Sequence, residues 1–164
     1  MRFVKLAVIS VVIIFSLFTC IGLFLPSSVT VTRTENINAS LDTVRLYTNE
    51  IRNWKYWLIN DSLSPVKLLN EKQMQSGDYN ISVIENEPKQ ITVLWQHENG
   101  KERRCRIKLE EISFNNTLVY LSFEQHLSWL PWERIGGMLH DEIIGPSMQT
   151  SLDKLKMVVE KTSE

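Results

Sequence analysis

Strand patterning through the middle of the chain and helical patterning at its end predict an α+β fold, an antiparallel sheet wrapped around a long C-terminal helix, preceded by one N-terminal transmembrane helix. Three observations carry this. Residues 6–25 form an apolar run without a charge. The segment Arg104-Cys105-Arg106-Ile107-Lys108-Leu109-Glu110 alternates strictly, with Cys105, Ile107 and Leu109 on one face and charges on the other. Across residues 133–161, Ile135, Met138 or Leu139, Ile144, Met148, Leu152, Leu155 and Val159 recur at mostly three or four residues, the period of one long amphipathic helix.

The apolar run comes first. Its 20 residues at about 1.5 Å each match the roughly 30 Å hydrocarbon core of a bilayer. Arg2 and Lys5 precede it, and Pro26-Ser27-Ser28 follow, with Arg33 the first basic residue beyond. The positive-inside bias therefore places the N-terminus in the cytoplasm and the rest of the chain on the periplasmic or extracellular side. A cleaved signal has a shorter apolar region and a small-x-small site, which Leu25-Pro26-Ser27-Ser28 does not match. Leu17-Phe18-Thr19-Cys20 departs from a lipoprotein box through Phe18, Thr19 and the apolar residues after Cys20. The chain divides into an anchor, residues 1–27, and one domain, residues 28–164, whose length suits a single hydrophobic core.

Charge excludes some functions. The chain carries 18 basic and 19 acidic residues, and without Arg2 and Lys5 the remainder holds 16 against 19, a net −3. No basic footprint for nucleic acid exists. Two cysteines, Cys20 in the apolar run and Cys105 in a strand, exclude a disulfide framework, and no Cys/His spacing suits zinc.

Within the domain, Val29 to Ile37 reads as a β-branched first strand, and Ser40 as the N-cap of a helix carrying Leu41, Val44 and Leu46 to about Asn49. A second short helix follows, with Trp54 and Trp57 on one face. Residues 60–65 read as a loop and residues 66–74 as one weak strand. Strands then run over residues 79–85 and 90–97, separated by Asn86-Glu87-Pro88 and closed by the hairpin signal Asn99-Gly100. Asn115-Asn116 turns the chain into residues 117–125, where Val119, Leu121 and Phe123 share a face. Gly145-Pro146 interrupts the final helix and predicts a kink or restart there.

This order resembles the START-like, polyketide cyclase-like superfamily (SRPBCC), whose fold is the helix-grip. Particular stretches resemble its membrane-anchored bacterial branch: Leu25-Pro26 before a strand ending Ile37-Asn38-Ala39, then Val44, Asn53-Trp54-Lys55-Tyr56-Trp57, Trp132-Glu133, Asp141-Glu142-Ile143-Ile144-Gly145-Pro146 and Ser151-Leu152-Asp153-Lys154-Leu155-Lys156. Relatives have a longer glycine-rich passage where residues 60–77 are compressed, which implies a shortened or missing strand and a narrower cavity. The resemblance implies an apolar ligand between sheet and long helix, and Trp57, Trp95, Cys105, Phe123, Met138 and Met148 are the positions expected to line that space. At such spacing the same residues also serve as plain core. His97 continues the alternation Ile91, Val93, Trp95, and either points inward, where it would orient a ligand, or sits exposed beside Asn99-Gly100. His140-Asp141-Glu142 are consecutive on a helix and cannot converge on one metal ion. GxSxG, HExxH, P-loop and GxGxxG motifs are absent.

The reading that follows is a membrane-tethered binding domain for a hydrophobic small molecule or lipid, without metal or cofactor. Two alternatives stand beside it. One is a cyclase- or hydratase-like enzyme using His97 or Glu124 as acid or base. The other is a ligand-free domain acting through its surface on an envelope protein partner.

Overall fold

The computed structural model describes residues 2–58 and 66–163; the expected loop over residues 60–65 lies outside the described residues. The most apolar 18-residue window of the leading helix, α1 (Arg2–Phe24), has a mean hydropathy of 2.7 and is 6% buried. It is long and apolar enough to cross a membrane. Gly22 is its one buried residue.

Seven antiparallel strands follow: β1 (Ser28–Ile37), β2 (Val66–Asn70), β3 (Gln73–Ser76), β4 (Tyr79–Glu87), β5 (Gln90–His97), β6 (Glu102–Ser113) and β7 (Asn116–His126). Their spatial order is β1-β7-β6-β5-β4-β3-β2. Between β1 and β2 come α2 (Leu41–Asn49) and a 3-10 turn (Ile51–Tyr56); after β7 come α3 (Pro131–Gly137) and α4 (His140–Ser163).

Local chemistry accounts for the elements. Ser40 caps α2 by accepting from the Thr43 N–H at 3.3 Å. At the hairpin between β5 and β6, Gly100 takes φ 82°, open to glycine at no steric cost, and Asn99 Oδ1 accepts from the Lys101 N–H. Cys105, Ile107 and Leu109 of β6 are buried while Arg104, Lys108 and Glu110 are exposed, so one face of the sheet is wet.

The dry face carries the core. Val31, Ile37, Ile91, Val93, Ile107, Val119 and Leu121 meet Met148, Leu152, Leu155 and Val159 of α4, all at 3% exposure or less. Trp54 and Trp57 close one end, their indole N–H groups donating to the carbonyls of Thr48 (2.7 Å) and Tyr47 (3.0 Å). A polar seam holds α4 along β1. Arg33 forms a two-pronged pair with Asp141 at 2.8 and 3.0 Å, Lys156 donates to Glu35 at 2.7 Å, and Glu160 accepts from the Asn38 backbone N–H at 2.9 Å.

Two expectations need correction. The single strand expected over residues 66–74 is a hairpin, β2 and β3, because Asn70 Oδ1 accepts from the Lys72 N–H at 2.9 Å and turns the chain. Among the described residues the sheet lacks no strand, and β2 and β3, at five and four residues, are its short ones. The C-terminal helical stretch breaks after Gly136-Gly137, and α4 does not restart at Gly145-Pro146. Gly137 packs so closely on Leu127 that a Cβ there would collide with it, whereas Pro146 lies inside α4. Gly145 is tight too: a Cβ would strike the Arg33 guanidinium.

Candidate functional site

Between the dry face of the sheet and the first half of α4 lies a cavity of about 470 Å³, within the size range of small-molecule sites. Its floor is aromatic. Tyr79 meets Trp95 edge-on with ring centroids 6.0 Å apart, and Trp95 meets Phe123 the same way at 5.7 Å. Tyr79 on β4 and Trp95 on β5 lie on adjacent strands, Tyr79 opposite His97, whereas Phe123 on β7 reaches Trp95 across β6, where it is opposite Cys105. Trp57 and Leu58 close one side, and Ile144 and Met148 of α4 form the roof.

The polar part of the lining comes from Arg103 on β6 and from Ser147, Thr150, Ser151 and Lys154 along one side of α4. Among the described residues, two cations and no carboxylate line the space. Arg103 is held by Gln125, whose Oε1 accepts from Arg103 Nε at 2.9 Å and contacts His140 Nε2 at 3.0 Å. The Trp95 indole N–H is buried without a hydrogen-bond partner among the described residues.

Of the residues singled out from sequence, Trp57, Trp95, Phe123 and Met148 meet in this cavity. Three do not. Cys105 is fully buried in the core beneath the floor, and burial pushes its thiol pKa up, away from thiolate chemistry. Met138 is 66% exposed because the chain turns after Gly136-Gly137 and carries it off the sheet. His97 is drawn to the rim by its own turn: Nδ1 accepts from the Asn99 N–H at 3.1 Å, and the ring packs edge-on against Tyr79 at 4.8 Å. Tyr79 stands between it and Trp95.

Glu124 alternates with Phe123 and lies on the outer face, near Arg106 at 3.9 Å and His126 at 4.0 Å. Neither residue named as an acid or base reaches the cavity. His140, Asp141 and Glu142 diverge to Gln125, to Arg33 and to solvent.

An antiparallel sheet packed on one long C-terminal helix, with an apolar space between them, is the helix-grip fold. Solved structures share this fold. A START superfamily protein from Mycobacterium smegmatis is 19% identical with a TM-score of 0.61, covering 81% of this chain and 98% of the other. Norcoclaurine synthase from Thalictrum flavum, solved with a transition-state analogue, is 11% identical with a TM-score of 0.62 over 84% of this chain and 97% of the other. CalU16 from Micromonospora echinospora is 20% identical with a TM-score of 0.56 over 79% and 73%. At these identities the likeness shows the fold alone. No protein-family model matches the sequence, and no curated protein matches it.

Proposed function

We propose that residues 28–164 form a binding domain for a hydrophobic small molecule or lipid, tethered by α1 to a membrane and standing on its periplasmic or extracellular side. The observation that carries this reading is the cavity itself: four apolar anchors, Trp57, Trp95, Phe123 and Met148, bound a space of ligand size under α4. Its polar lining refines the ligand. With Arg103 and Lys154 at the wall and no carboxylate in the lining among the described residues, the site suits a neutral or acidic head on an apolar body and disfavours a cation. Arg2 and Lys5 before α1 support the orientation.

Purifying the domain from Ser28 onward without detergent, extracting it with organic solvent and identifying the extract by mass spectrometry tests the reading. A hydrophobic ligand should be recovered from the native domain and lost from Met148→Trp, which fills the roof of the cavity. An empty extract, together with no uptake of a fluorescent fatty acid by the native domain, would overturn it.

A further inference from the structure

The segment joining β7 to α4 is built inside out for a water-exposed helix. Trp129, Trp132, Ile135, Met138, Leu139 and Ile143 are exposed, Trp132 at 58% and Ile143 at 68%. Two charges of α3 are half-buried and paired, whereas Asp141 and Glu142, just before Ile143, are exposed. Glu133 accepts from the Ser128 N–H at 3.2 Å and faces Lys101 at 3.5 Å, while Arg134 Nη1 donates to the carbonyls of Gly22 at 3.0 Å and Leu25 at 2.9 Å. Arg134 thereby caps the end of α1, where the Gly22 carbonyl also accepts from the Leu25 N–H at 3.2 Å.

This apolar face continues that of α1. Val11, Phe15 and Phe18 of α1 border one shallow groove with Trp132, Ile135 and Gly136. The two helices touch at Gly22, where an added Cβ would lie 2.9 Å from Pro131 Cα. Gly22 lies three residues inside the apolar run that ends at Leu25, so α3 meets α1 within that run, and the groove beside the contact is lined by apolar side chains of α1 as far as Val11.

We infer that α3 and the turn into α4 are a second membrane-contacting element, seated in the interfacial layer of the same bilayer that α1 crosses. Resting on the tether reading, this fixes how the domain stands: Trp129 and Trp132 sit at the headgroup boundary, and Met138, Leu139 and Ile143 reach acyl chains. The roof residue Ile144 follows directly on Ile143, so the cavity wall begins where the membrane-seated segment ends.

The test uses the full chain with Cys20→Ser, reconstituted in vesicles of phosphatidylcholine with a minority of phosphatidylglycerol. An environment-sensitive fluorophore is attached to Met138→Cys, to Ile143→Cys, or to Met157→Cys as an exposed control on the far half of α4. Probes at 138 and 143 should be quenched at least about twofold more than the 157 probe by lipid carrying a nitroxide near the headgroup. Gly22→Leu, which pushes α3 off α1, should reduce that difference while near-ultraviolet circular dichroism of the domain stays unchanged. If the chain resists alkaline carbonate extraction yet all three probes quench alike, the seating is wrong and the tether stands. Extraction by carbonate would sink both. Shielding of the 138 and 143 probes without nitroxide quenching, accompanied by crosslinking between chains, would assign the face to a second copy and overturn the inference.

Discussion

Leu152 sits with no exposed surface at the centre of the contact between α4 and the sheet, flanked along the helix by Met148 and Leu155. Replacing it with Ala deletes three carbon groups, at about 0.8 kcal/mol each for transfer, and leaves a cavity that packed neighbours cannot fully close. Together these give a loss of about 3–4 kcal/mol, within the span measured for buried Leu→Ala changes, and comparable to a third or more of the stability of a small domain. Urea unfolding of the domain from Ser28 onward reads this directly, with fluorescence of the buried Trp54 and Trp57 as the signal. The midpoint should fall without a change in slope. Met157→Ala, at a position 63% exposed on the same helix, should move stability by less than about 0.5 kcal/mol. If the two variants behave alike, α4 is not the cover of the sheet, and the cavity beneath it loses its roof.

Other outcomes follow from single contacts. Arg33 holds the Asp141 carboxyl below its usual range, chiefly through their hydrogen bond, so the pair's contribution is present above the ordinary carboxylate pKa of about 3.9 and is lost as pH falls through the lowered folded value. The gap between the melting temperatures of wild type and Asp141→Asn should therefore close on acidification below about pH 4; a gap that persists at low pH would contradict the pairing. Cys105 should stay unmodified by thiol reagents until the domain unfolds, and Cys105→Ala should cost about 1 kcal/mol through a small cavity; rapid labelling of the native protein would show that the strand is not where it is drawn. A cysteine introduced at Lys161 should react with a membrane-impermeant reagent in intact spheroplasts, whereas protection until lysis would reverse the orientation given to α1.

The parts legible in the sequence are those where one local signal dominates. The alternation in β6, the Asn99-Gly100 turn, the Ser40 cap and the apolar run of α1 each specify their own element without help from distant residues. The β2–β3 hairpin was hidden because its turn, Glu71-Lys72, holds neither Gly nor Pro; Asn70 was the available sign. The break between α3 and α4 is harder to read, because Pro146 is a stronger local breaker than Gly136-Gly137 and the close packing of Gly137 on Leu127 is a tertiary contact. In the cavity, the aromatic rings were legible and the cations were not. Arg103 lies two residues before Cys105 and so shares its inward face, a parity that could have been read. Lys154 could not, since nothing local tells which flank of α4 borders open space.

The strand order has a consequence for how the chain comes to be folded. Strands β2 to β7 each pair with a neighbour in sequence, so that part of the sheet can zip up from local turns. β1 is made before any of them and has only β7 to pair with, Ser28 against His126 and Ile37 against Thr117. Closing that loop, on the order of a hundred residues, costs entropy that only the β1–β7 ladder and the docking of α4 across it can repay. The first strand and the last helix are thus committed together, late. A chain stopped before α4 has its apolar meander formed and its first strand adrift, a state with a free sheet edge and a dry face open to aggregation.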